Sequence, residues 1–136
     1  MAARQMHEIM SLNCLVVQPD STVAELQKLV LRGHEGDIFV IEGESRRLVG
    51  RLPLASLVAA RSEQTAMDLC EPVNQFLQVS DDLWTGFLAM ENRVGNLLPV
   101  VADSTSMSFA GSVAESDFIS AYRQAVTQNR EEQEGR

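Results

Sequence analysis

The sequence predicts a mixed α/β (α+β) fold made of two β-α-β-β-α units. Two observations carry this. First, a short apolar strand, a glycine, a tight turn and a helix start occur in Phe109-Ala110-Gly111-Ser112-Val113-Ala114-Glu115-Ser116-Asp117-Phe118. The same joint occurs about sixty residues earlier in Leu48-Val49-Gly50-Arg51-Leu52-Pro53-Leu54-Ala55-Ser56-Leu57. Second, the halves superpose at that shift: Val17-Gln18 on Leu77-Gln78, Val23 on Leu83, and Ile38-Phe39-Val40 on Leu98-Pro99-Val100. Each half holds too few elements to bury a core alone, so the halves are expected to pack on each other.

The elements follow in order. Met6, Ile9 and Met10 at helical spacing predict a short lead-in helix. Leu15 to Gln18 reads as a strand closed by Pro19-Asp20, and Thr22-Val23-Ala24-Glu25 fits a capping box. The helix it opens carries Val23, Leu26, Leu29 and Val30 on one face and stops at Arg32-Gly33. Asp37 to Ile41 predicts a buried strand and Arg47 to Leu52 another. Pro53 then opens a helix from about Leu54 to Arg61. After the linker-like Ser62-Glu63-Gln64-Thr65, a second lead-in at Ala66 to Cys70 starts the repeat. Its strands are Gln75 to Val79, Leu97 to Val101 and Ser108 to Val113. Its helices are one capped by Ser80-Asp81-Asp82 and one from Ser116 to about Gln128. This gives a first unit over 6–61, a second over 66–128, and a disordered acidic tail over 129–136.

Composition excludes several functions. The formal charge is -8, from 11 basic and 19 acidic residues. Arg46-Arg47 is the one basic pair, so the footprint of a nucleic-acid binder is missing. No stretch approaches eighteen apolar residues, and the start lacks the apolar core of a secretory signal. The expectation is a cytoplasmic body, on its own or as the cytoplasmic domain of an inner-membrane protein. Cys14 and Cys70 lie among apolar residues and read as buried thiols. His7, Cys14, His34 and Cys70 have no metal-ligand spacing. There is no P-loop and no nucleophile set beside a histidine, so neither a metal site nor catalysis is expected. Trp84 belongs in the core or on a dimer face. Leu83, Phe87, Met90, Phe118, Ile119 and Tyr122 offer more apolar surface than one small core needs, which suits a homodimer.

The element order, the half-length and the glycine joint resemble the CBS domain, which occurs in tandem pairs. The likeness runs from about Met6 to Tyr122. It is carried by Ile9-Met10, by Val17-Gln18-Pro19-Asp20-Ser21-Thr22-Val23, by Leu48-Val49-Gly50 and by Leu98-Pro99-Val100-Val101. It implies a pseudo-two-fold axis between the halves, clefts at their contact, and a non-enzymatic regulatory module of the kind that binds adenine nucleotides. Leu48 to Leu57 and Ser116 to Arg123 further resemble the cytoplasmic tails of chloride channels and transporters. That implies an attached or partner anion channel or transporter.

In nucleotide-binding members the joint reads glycine, two apolar residues, Ser or Thr, two variable residues, then Asp, whose side chains hold ribose and phosphate. The second joint keeps Gly111 and Asp117 but has Ala114 in place of the hydroxyl. Asp117 is equally well explained as a first-turn carboxylate serving its own helix. The first joint keeps Gly50 but has Pro53 and Ser56 in the two functional places, and Pro53 removes a backbone N–H. The resemblance thus implies one candidate cleft, formed by Gly111, Ser112, Ala114 and Asp117 with the loop His34-Glu35-Gly36-Asp37. A second, degenerate one would involve Pro53, Ser56 and Asn96. Glu35 and Asp37 are expected to repel phosphate, which favours adenosine or AMP over a triphosphate. The alternative is a structural platform for dimerisation with degenerate clefts.

Overall fold

The computed structural model describes residues 4–12, 14–31, 37–93 and 95–134. Helix α1 (Met6–Ile9) leads into β1 (Leu15–Val17), α2 (Val23–Leu31), β2 (Ile38–Glu42) and β3 (Arg47–Leu52). A 3-10 turn over Leu54–Leu57 follows. The second half repeats this as α3 (Ala66–Leu69), β4 (Leu77–Gln78), α4 (Leu83–Glu91), β5 (Leu97–Val101), β6 (Phe109–Ala114) and α5 (Glu115–Glu134).

Each half forms a three-stranded sheet, β1-β2-β3 and β4-β5-β6. The first pair of strands in each is parallel and the second antiparallel. A register shift falls between Val40 and Ile41 and again between Val100 and Val101. The bulge is therefore part of the repeated unit. The expected pseudo-two-fold symmetry is visible in the hydrogen bonds. The Leu48 N–H donates to the Met107 carbonyl at 2.9 Å, and the Phe109 N–H to that of Arg46 at 2.8 Å.

β2 reads as an unbroken apolar run because both its faces are covered. Ile38 and Val40 join Val17, Val23, Leu26, Leu52 and Leu57 in the core of the first half. Phe39 and Ile41 face the other way, into a shared core with Leu48, Val101 and Phe109. The Phe39 and Phe109 rings lie 5.4 Å apart there. The halves thus pack on each other through a dry interface, as their small individual size requires.

The lead-in helices are exchanged between the halves. Met6 of α1 is buried in the second-half core with Leu77, Met90, Leu98, Val100, Val113 and Phe118. Ala66 of α3 is buried in the first. Both are fixed by polar ends. The Gln5 N–H donates to Glu8 Oε2 at 2.8 Å, and the Thr65 N–H to Asp68 Oδ2 at 2.9 Å. The predicted caps form too: Thr22 and Glu25 bond reciprocally, and Asp82 accepts from the Thr85 N–H at 2.8 Å.

Two elements differ from the sequence expectation. The helix expected from Leu54 to Arg61 is a four-residue 3-10 turn. An α-helix there would need a bond from the Arg61 N–H to the Leu57 carbonyl. Both groups are engaged elsewhere, Arg61 N–H with Gln64 Oε1 at 2.8 Å and the Leu57 carbonyl with Gln27 Nε2 at 3.1 Å. At the other end, α5 passes Gln128 and continues to Glu134, so the expected disordered tail is helical that far. Its Gln, Arg and Glu residues are strong helix formers, so propensity favours the extension. Trp84 is 68% exposed, which removes the core alternative for it. Among the described residues no helix is long and apolar enough to cross a membrane.

Candidate functional site

Both joints are built in the same way. Each glycine lies where a lead-in segment crosses the last strand of the opposite half. Arg51 and Glu71 exchange two backbone bonds of 2.9 and 2.8 Å, and Ser112 and Ser11 exchange two of 3.0 and 2.8 Å. A side chain at Gly50 would stand 2.5 Å from Cys70 Sγ, and one at Gly111 2.8 Å from the Ser11 carbonyl oxygen. Gly111 is thus fixed by close backbone approach, the reading its sequence context suggests, and Gly50 by the Cys70 side chain with the Glu71 carbonyl behind it.

The residues that follow the two glycines differ. Arg51 sends its guanidinium between the halves. Nη1 lies 3.0 Å from Asp37 Oδ1 and Nη2 3.4 Å from Glu71 Oε2. The Asp37 side chain is only 11% exposed. Its second oxygen accepts the N–H groups of Asn96 and Leu97 at 3.1 and 3.3 Å. Asp37, expected to face an incoming phosphate, faces Arg51 and the start of β5 instead. Its charge is held by an arginine and two amides of the other half. Beside Arg51 remains a cavity of about 110 Å³ lined also by Glu71 to Gln75 and Leu97 to Pro99. At the position related to Arg51 by the pseudo-two-fold stands Ser112, buried but small.

Asp117 accepts the Ala114 N–H through Oδ2 at 2.8 Å, so it caps its own helix. It also lines a shallow hollow of 190 Å³ with Arg4, Glu8, Ile9, Ser120 and Gln124. Pro53 precedes the 3-10 turn with φ -66°. The Ser56 N–H donates to the Pro53 carbonyl at 3.0 Å, the bond that closes the turn. Gly111, Ser112, Ala114 and Asp117 are contiguous on β6 and the start of α5. Asp37 and Asn96 meet directly, which joins one residue of each predicted cleft. Gly36, with His34 and Glu35, lies outside the described residues. The motif comparison passed over Arg51, because the place after the glycine carries no functional residue in the family pattern. Its charge amid Leu48-Val49-Gly50 and Leu52 was the available signal.

Away from the clefts, a groove of 780 Å³ runs along α4 and α5, lined by Trp84, Phe87, Leu88 and Tyr122 with Arg4, Glu8, Asp82 and Glu91 at its edges. Phe87 links it to the core, where the Phe118 ring lies 5.2 Å from its own. Among the described residues no three His, Cys, Asp or Glu side chains converge as a metal cage would require. Burial pushes the Cys70 thiol above its ordinary range, which leaves it a poor nucleophile.

The class that this arrangement defines is a duplicated β-α-β-β-α module with exchanged lead-in helices and a glycine joint in each half. Residues 6–63 match the family model of the CBS domain, and the chain as a whole has the fold of solved CBS domain pairs. Solved structures agree. A CBS domain pair/ACT domain protein from Thermotoga maritima is 18% identical with a TM-score of 0.75, over 89% of this chain and 98% of that one. The CBS pair domain of a putative Mg2+ transporter from Shewanella oneidensis is 17% identical with a TM-score of 0.78, over 93% and 74%. The protein CBSX2 in complex with AMP is 21% identical with a TM-score of 0.73, over 90% and 98%. No curated protein matches the chain.

Proposed function

We propose that this chain is a non-enzymatic regulatory module that binds adenosine or AMP weakly in the cleft below its second joint and passes the occupancy on to an ion channel or transporter. The observation that carries this reading is the inequality of the joints. The first has its cleft filled by Arg51 and its two carboxylates. The second carries small Gly111, Ser112 and Ala114 beside the first turn of α5, and a helix start favours an anion. The relative bound to AMP supports the ligand class. The Shewanella relative belongs to a putative Mg2+ transporter, which supports an ion-transport partner. The chloride-channel likeness of Leu48 to Leu57 favours an anion as the transported species.

Thermal denaturation with and without millimolar adenosine, AMP or ATP tests the sensing reading. A ligand that binds only the native state raises the melting temperature. Adenosine and AMP should give a shift and ATP a smaller one. Asp117→Asn keeps an oxygen that can accept the Ala114 N–H but loses the carboxylate charge. It should remove the shift and leave the unliganded melting temperature nearly unchanged. If no nucleotide moves the transition, sensing is wrong.

A second reading, a structural dimerisation platform, is favoured by one observation. Trp84, Leu88 and Tyr122 are exposed along the α4–α5 groove. Apolar surface of this kind marks an interaction site, and a second copy is its proposed occupant.

A further inference from the structure

We propose that the Arg51 guanidinium is an internal plug of the first-joint cleft, and that this one side chain makes the pair single-sited. The inference rests on the reading above for the class of molecule used as a probe and for binding at the second joint.

The geometry is that of a built contact. The Arg51 side chain is 14% exposed. It reaches Asp37 at the start of β2 and Glu71 in the segment after α3. Asp37 in turn holds the first two N–H groups around the start of β5. One guanidinium thus ties three segments from both halves. Gly95, whose φ is +79°, makes room for it: a side chain there would stand 2.4 Å from Asp37 Oδ2 and 2.9 Å from Arg51 Nη1.

The plug removes the two things a nucleotide needs. The remaining 110 Å³ is well below the few hundred cubic ångströms of an ordinary ligand pocket. The trio of Arg51, Asp37 and Glu71 carries a net negative charge, so a phosphate gains nothing from the arginine. Across the pseudo-two-fold the same place holds Ser112, whose side chain fills little space. Arg51→Ser therefore gives the first joint the residue that the second one has.

The test is a titration with adenosine followed through backbone amide chemical shifts. In the native protein, only amides around Ser112 and Ala114 should move. In Arg51→Ser, a second saturable set should appear at Val73, Leu97 and Leu98. A folded Arg51→Ser protein without this second set overturns the proposal. Loss of the first set in the native protein would instead count against the sensing reading, so the two failures are distinct.

Should Arg51→Ser fail to fold, the native protein still decides. A plugged guanidinium gives resolved, slowly exchanging Nη–H signals. Asp37→Asn should then speed hydrogen exchange at Asn96 and Leu97 by about tenfold or more, the scale of a lost bond to a charged group. Averaged, freely rotating Arg51 signals, or unchanged exchange at both amides, overturn the proposal.

Discussion

At the residue scale, the fold depends on a few places where a side chain cannot be added. Gly86 lies in α4, where alanine is preferred by about 1 kcal/mol on helix propensity alone. A Cβ there would stand 2.5 Å from the Phe118 ring and 3.0 Å from Met6 Cε. Overpacking costs about 1–3 kcal/mol and outweighs the propensity gain. Gly86→Ala should therefore lower the unfolding free energy in a denaturant titration, and a gain in stability would show that α4 and α5 are more loosely packed than described. Gly95→Ala should cost about 2 kcal/mol or more, from a left-handed backbone and a displaced Asp37 together. The glycines of the two joints were legible in the sequence because the repeat placed them in register. Asp37 was not. Its position before β2 suggested an open loop facing a ligand, and only the antiparallel approach of the two halves shows that Asn96 and Leu97 present their N–H groups to it.

At the scale of elements, strands and capped helices were readable wherever local chemistry agrees with tertiary packing. Thr22 with Glu25 and Asp82 with Thr85 are such cases. The 3-10 turn after Pro53 was not readable, because Gln27, far from it in sequence, and Gln64, just past it, take the groups an α-helix would use. The exchange of lead-in helices was equally hidden, since Met6 and Ala66 suit either core by composition. The element ends also set a pH dependence. Hydrogen bonds from Thr85 hold the Asp82 carboxyl below its ordinary value of 3.8, and bonds from Ser106 and Thr105 do the same for Asp103 in the turn between β5 and β6. A carboxyl lowered in the folded state stabilises the fold above its ordinary value, and the contribution is lost as pH falls through the lowered value. The melting temperature should thus fall on acidification below about pH 4. The double variant Asp82→Ala, Asp103→Ala should have a lower melting temperature at neutral pH and a shallower fall in acid. A parallel fall in both proteins would show that other carboxylates govern the acid limb.

At the scale of the whole molecule, duplication was the most legible feature, and its breakdown is the informative one. Symmetric positions are held by Arg51 and Ser112, by Asp37 and Leu97, and by a four-residue turn and a twenty-residue helix. The exposed large apolar side chains share this asymmetry in part, with Leu12, Val58 and Met67 exposed elsewhere among the described residues. Trp84, Leu88, Ile119, Tyr122 and Val126 all lie on α4 and α5 of the second half. A dimer formed through that face would bring together two copies that each carry a net charge of -8. Burial of apolar area favours such a dimer and charge repulsion opposes it, and salt weakens only the second effect. The dimer should therefore tighten as salt is raised from low to physiological strength, the reverse of an interface held by ion pairs. Light scattering across protein and salt concentrations measures this directly. Trp84→Glu should shift the protein to monomer without lowering its melting temperature at dilutions where the native protein is itself monomeric, since Trp84 takes little part in the core. A Trp84→Glu protein that dimerises as well as the native one would place the interface elsewhere, and dimerisation that weakens with salt would assign it to the charged surface instead of the groove.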